Sequence, residues 1–135
     1  MAETLEFELV SPEKLLMQRS VEMVVVPGAE GNFAAMRGHA PVISTLRPGV
    51  IDVYDKRPEI ADRIFVAGGF AEVTANRCTV LAEEAVPLSD LDSGALDQAI
   101  RDLAEDVTDA KEATARVAAE KALNVAKAKR AALRR

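Results

Sequence analysis

The sequence predicts an antiparallel β-sandwich or barrel followed by a helical hairpin, and three observations carry that prediction. Between Leu5 and Val86 the apolar residues fall into short runs with strand-like spacing. Turn-forming residues bound each run, and no helical segment intervenes. After Pro87 the apolar residues recur at three- and four-residue intervals, the repeat of one helix face. A parallel βαβ arrangement is excluded, because each crossover needs about a dozen residues or more.

The first run, Leu5 to Leu9, places Leu5, Phe7 and Leu9 on one face and Glu6 and Glu8 on the other, a half-buried strand. Further runs are Val21 to Val26, Phe33 to Met36, Val42 to Leu46, Val50 to Tyr54, Ile64 to Val66 and Thr79 to Ala82. The punctuation between them is Ser11 and Pro12, Pro27 and Gly28, Gly31 and Asn32, Pro48 and Gly49, Arg57 and Pro58, Gly68 and Gly69, and Ala75 and Asn76.

Past Pro87, Leu88, Leu91, Ala95, Leu96, Ala99, Ile100, Leu103 and Val107 form one stripe. Ser89 or Ser93 is expected to cap this helix, with Asp90, Asp92 and Asp97 near the positive end of its dipole. A break at 107–109 lets Thr108 or Asp109 cap a second helix reaching about residue 133. That segment carries ten alanines from Ala110 to Ala132 and neither Pro nor Gly, so its helical propensity is high. Its larger apolar residues, Val117, Leu123, Val125 and Leu133, make no tight stripe, and tertiary packing supplies most helical stability. The expected organisation is therefore a β domain over 1–87 and a two-helix domain over 88–135.

With 135 residues, 49% hydrophobic but 4% aromatic, the protein has enough apolar volume for one modest core with an appended element. No apolar run approaches the ~20 residues that cross a bilayer. The N-terminal residues have neither a basic start nor an apolar signal core, so a soluble, cytoplasmic protein is expected. Cys78 has no cysteine partner and is expected to be a small core residue.

The net charge of −5 is unevenly spread. Residues 1–86 hold 13 acidic and 8 basic side chains, 87–112 hold 8 and 2, and 113–135 hold 1 and 7. In an antiparallel hairpin the basic end, Lys127, Lys129, Arg130, Arg134 and Arg135, would lie beside the acidic start of the first helix. Such exposed pairs are worth about 0.2–1 kcal/mol each, so an acidic partner can compete for them. The basic tail lacks interleaved aromatics, and nucleic acid is not an expected partner.

Nothing in the sequence assembles a catalytic centre. His39 is the one histidine, set in a turn entering a strand, and a nucleophilic triad would need it beside a Ser or Cys and an acid. Neither GxxxxGK[ST] nor GxGxxG occurs. No cofactor and no metal are expected, and the residues by themselves describe an interaction module.

Particular stretches say more. PheGluLeuValSerPro (7–12), ValValProGlyAlaGluGlyAsnPhe (25–33), GlyHisAlaProValIleSerThrLeuArgProGly (38–49), PheValAlaGlyGlyPheAlaGluVal (65–73) and ThrValLeuAlaGluGluAla (79–85) closely resemble the epsilon subunits of F-type ATP synthases, in order and in spacing. PGxEG followed by GHAP and GGFxEV is a specific combination, and the similarity covers nearly all of residues 5–92. The resemblance implies an N-terminal sandwich of about ten strands and a C-terminal two-helix domain. It also implies a non-catalytic rotor subunit that grips the gamma subunit and the membrane c-ring, coupling ion-driven rotation to ATP synthesis. The expected place is the cytoplasmic face of the bacterial inner membrane, with membrane contact only through the complex.

By matching motif positions, Glu30 and Gly31 would face the c-ring, with His39, Ala40 and Pro41 in the neighbouring turn at the rotor interface. The resemblance further implies that the hairpin can extend beside gamma, bring its basic end to the alpha/beta catalytic head and brake ATP hydrolysis. Some relatives bind ATP through [IL]DxxRA on the hairpin. Here Leu91-Asp92-Ser93-Gly94-Ala95-Leu96 lacks the arginine, and starting from Leu96 and Asp97 puts Arg101 one place late, with Asp102 in place of alanine. ATP sensing is therefore not expected. The competing readings are an unrelated sandwich-and-hairpin adaptor and a nucleotide-sensing module.

Overall fold

A computed structural model describes residues 3–134. Its strands are β1 (Leu5–Val10), β2 (Leu15–Val21), β3 (Met23–Gly28), β4 (Gly31–Ala35), β5 (Val42–Thr45), β6 (Gly49–Tyr54), β7 (Asp62–Val73) and β8 (Arg77–Pro87). A 3₁₀ turn at Leu88–Asp90 leads to helices α1 (Ser93–Asp109) and α2 (Ala113–Ala132). The described residues divide into two compact units between Pro87 and Leu88.

The N-terminal unit is a β-sandwich. Its strands follow the order β2-β1-β8-β7-β6-β3-β4, with β5 added against β7. The alternation in β1 works as the pattern predicts: Leu5, Phe7 and Leu9 are at most 2% exposed, while Glu6, Glu8 and Val10 are half-buried. Val21, Val24, Val26, Ile51, Val53, Val66, Val73 and Val80 complete the same core. β-branched side chains suit this pleated interior, and they fill it with little aromatic volume.

Three features depart from the expectation. Among the described residues there are eight strands where the resemblance implied about ten, with β7 and β8 12 and 11 residues long. β7 pairs with β6 through Asp62–Val66 and with β5 through Phe70–Val73. The strand changes partners across Gly68 (φ +72°) and Gly69 (φ +108°), a pair whose residue types predict a boundary. Glycine tolerates those angles, so the strand bends there without ending. The sheet is also not wholly antiparallel: β1 runs parallel to β8, from Glu6↔Arg77 to Val10↔Leu81. Finally, β2 lies outside the predicted runs except for its last residue, Val21. Its Leu15 and Leu16 are 52% and 39% exposed, so it is a strand by pairing with β1 and not by apolar alternation.

In the C-terminal unit α1 packs on α2. Leu96, Ala99, Ile100, Leu103 and Val107 are the half-buried face of α1, on the stripe predicted from their spacing. Asp92, and neither serine, is the N-cap, its Oδ1 accepting from the Gly94 amide at 3.0 Å. α1 also runs through the expected break to Asp109; Thr108 donates to the Ala104 carbonyl instead of capping the next helix, and Glu112 precedes α2. The thin apolar face of α2 is visible in Val117, 65% exposed.

Candidate functional site

Two exposed turns, one at each end of β4, frame the candidate surface. In the first, β3 and β4 pair as far as Gly28↔Gly31, leaving Ala29 and Glu30 at the tip. Gly31 takes φ +140°, open to glycine. Gly28 permits a close approach: a Cβ there would stand 2.8 Å from the Gly31 carbonyl oxygen and 3.0 Å from Ser44 Oγ. The tip is tied to the following strands by Ala29 N–H donating to Thr45 O (2.8 Å) and Arg47 N–H donating to Pro27 O (3.0 Å).

The second turn joins β4 to β5. Gly38 (φ +90°) donates its amide to Ala75 O (2.6 Å), and the His39 amide donates to Met36 O (3.1 Å). The His39 ring lies 2.6 Å through Nδ1 from the Ala40 carbonyl, which can only accept, so Nδ1 carries a proton in this arrangement. Its ring centroid is 6.4 Å from that of Phe33.

These turns bring Glu30, Gly31 and His39, predicted from separate motifs, onto one open groove of about 620 Å³, together with Phe33, Ile43 and Thr45. Ala40 and Pro41 are exposed immediately beyond His39 but are not among the residues lining it. Ile43 is 70% exposed, so an apolar side chain and the acidic Glu30 line the same open depression. A surface of this kind suits docking of a partner. Sequence reasoning passes over Arg47, whose guanidinium donates to the Gly28 carbonyl (2.7 Å) and to Asn32 Oδ1 (2.5 Å). Its place in LeuArgProGly carries no signal beyond that of a turn.

The basic end of the hairpin does not act as one group. Arg130 turns to Asp97 near the start of α1, with Nε 2.9 Å from Oδ1, and is 24% exposed. Lys127 and Arg134 are exposed, Lys129 is half-buried, and Arg135 lies outside the described residues. The positions compared with the ATP motif are engaged within the hairpin: Asp92 caps α1, Asp97 holds Arg130, and Arg101 donates to Gln98 Oε1 (2.7 Å). Among the described residues no three His, Cys, Asp or Glu side chains gather as a metal site, and no helix is long and apolar enough to cross a membrane.

Comparison with known proteins covers both units. Residues 4–88 match the family described as ATP synthase, Delta/Epsilon chain, beta-sandwich domain, and residues 92–134 match the C-terminal domain family of the ATP synthase epsilon chain. An ATP synthase epsilon chain of Rhodospirillum centenum is 58% identical over 133 residues, covering 96% of this chain and 91% of the relative. The epsilon chain of Paramagnetospirillum magneticum is 49% identical over 133 residues, covering 98% and 99%. Among solved structures, a subunit of the Euglena gracilis mitochondrial ATP synthase, in an assembly of OSCP, F1 and c-ring, superposes with a TM-score of 0.84 at 25% identity, covering 96% of this chain and 81% of that one.

Proposed function

The chain belongs to the ATP synthase epsilon-chain family, and from that membership we propose how its two units serve the central stalk. It is a non-catalytic rotor subunit, with gamma, the c-ring and the catalytic head as its partners, and it couples ion-driven rotation to ATP synthesis. It supplies no catalytic residue of its own. Residues 1–87 are the rotor-docking domain, and the Glu30 turn with His39, Ala40 and Pro41 is its surface toward the c-ring and gamma. The observation that carries this reading is the convergence of Glu30, Gly31 and His39, from two different turns, on one exposed groove. The protein works peripherally at the cytoplasmic face of the bacterial inner membrane, reaching the membrane through its partners.

Residues 88–135 form the regulatory hairpin. When the hairpin extends, Arg130 of its basic end exchanges Asp97 for an acidic surface of the catalytic head, and Lys127, Lys129, Arg134 and Arg135 add their charge to that contact. A partner shifts that equilibrium only by its differential affinity for the two forms. The exposure of Lys127 and Arg134 supports the reading, since their charges are open to such a partner.

The docking surface is tested by Glu30→Lys in the assembled synthase. A reversed charge at a docking contact is expected to lower ATP-driven ion pumping severalfold while ATP hydrolysis continues. Pumping and subunit retention equal to the parent complex would overturn the assignment.

A further inference from the structure

We propose that Arg47 is the positioning residue of the docking turn: its guanidinium braces the β3–β4 tip so that Glu30 is presented in one place. The inference rests on the reading that this turn docks on the rotor.

The tip needs such a brace. β4 ends the strand order, and beyond β3 the tip is held by backbone contacts to the 45–47 segment, the segment that carries Arg47. Ala29, Glu30, Gly31 and Asn32 line the open groove, and glycines stand on both sides of the tip. A hairpin end with few packed side chains opens readily unless other bonds hold it.

Arg47 reaches both strands of that hairpin. Nη1 donates to the Gly28 carbonyl on β3 (2.7 Å), and Nη2 donates to Asn32 Oδ1 on β4 (2.5 Å). The two acceptors bracket Ala29, Glu30 and Gly31. Because the guanidinium is a planar fork, engaging both strands through different nitrogens fixes their relative position as well as their distance. The arginine is itself anchored. Its amide donates to Pro27 O (3.0 Å), buried Leu46 beside it donates to Gly69 O (3.1 Å), and Leu46 bridges Gly28. Leu46, next to Arg47, thus ties the base of the turn to the bend of β7. A lysine ammonium is a compact point donor without the planar fork that engages the two strands through different nitrogens.

The test compares Arg47→Gln, Arg47→Lys and Asn32→Ala in the full-length protein and in the assembled synthase, with Glu30→Lys as the docking control. In the full-length protein, Arg47→Gln is expected to speed amide exchange at Ala29 and Gly31 about tenfold while core amides of β6 and β7 keep their rates. Arg47→Lys should fall between parent and Arg47→Gln, and Asn32→Ala should give a smaller change that does not add to that of Arg47→Gln. In the synthase, Arg47→Gln should lower ion pumping per ATP hydrolysed, with partial recovery in Arg47→Lys. Unchanged exchange at the tip, or exchange raised equally throughout the sandwich, would overturn the brace. A loosened tip with intact pumping, while Glu30→Lys impairs pumping, would overturn the positioning role. If the tip loosens and neither substitution alters pumping, the docking reading fails and the brace stands on the exchange data.

Discussion

β7 bends at Gly68 and Gly69, where it passes from pairing with β6 to pairing with β5. At Gly69 a Cβ would fall 1.8 Å from the Leu81 carbonyl oxygen, and the φ of +108° disfavours any side chain. Gly69→Ala is therefore expected to cost about 3 kcal/mol, read as a lower urea midpoint. Cys78 is legible as a core residue, and burial pushes its thiol up to about 12. An unfolded thiol ionises near about pH 8.5, so the folded state binds the proton more tightly. Its contribution is whole below that pH and is lost as pH rises toward 12. Stability measured from about pH 8 to 11 should fall more steeply for the parent than for Cys78→Ala. Glu22 has the opposite sign. The Arg57 side chain donates to it and holds its carboxyl below the ordinary value, so its contribution is present at neutral pH and lost as pH falls through that lowered value. Glu22→Gln should flatten the acid limb of the stability profile. Neither Glu22 nor Arg57 could be paired from sequence, because they stand 35 residues apart and meet only through the fold.

Elements are legible in proportion to how far their own pattern decides them. α1 declares itself by its 3–4 spacing, whereas its cap does not, because Ser89, Asp92 and Ser93 are all good capping types and the choice depends on where the 3₁₀ turn stops. β2 escapes sequence reasoning for a different reason: a strand whose outer residues are exposed has no alternation to read, and pairing with β1 defines it. The Arg130–Asp97 pair joins groups that are 24% and 46% exposed, so Asp97→Asn should destabilise the closed hairpin by no more than about 1 kcal/mol. Thermal melting at low and high salt would show a small, salt-sensitive loss. Removal of residues 88–135 should raise ATP hydrolysis by the assembled catalytic head; unchanged hydrolysis would remove the brake from the account. With Asp97 engaged by Arg130 and Arg101 by Gln98, calorimetric titration with ATP should show no binding tighter than about 1 mM.

For the whole molecule, gentle solubilisation of native membranes carrying the tagged protein should recover gamma, the c-ring and the catalytic subunits in fixed proportion; their absence from intact preparations would return the protein to an unassigned adaptor. By itself the sequence determined the succession of β-strands and helices, the core face of β1, the stripe of α1 and the family, because hydrophobic period and motif order are local properties written along the backbone. Tertiary structure alone decided the parallel contact of β1 with β8, the passage of β7 through its glycines and the division of the basic end between Arg130 and its exposed neighbours. It also decided that Glu30 and His39 share a groove and that Arg47 reaches both strands of one turn. Each of these joins residues distant in sequence, and only the closing of the sheet and the pairing of the helices sets the distances between them.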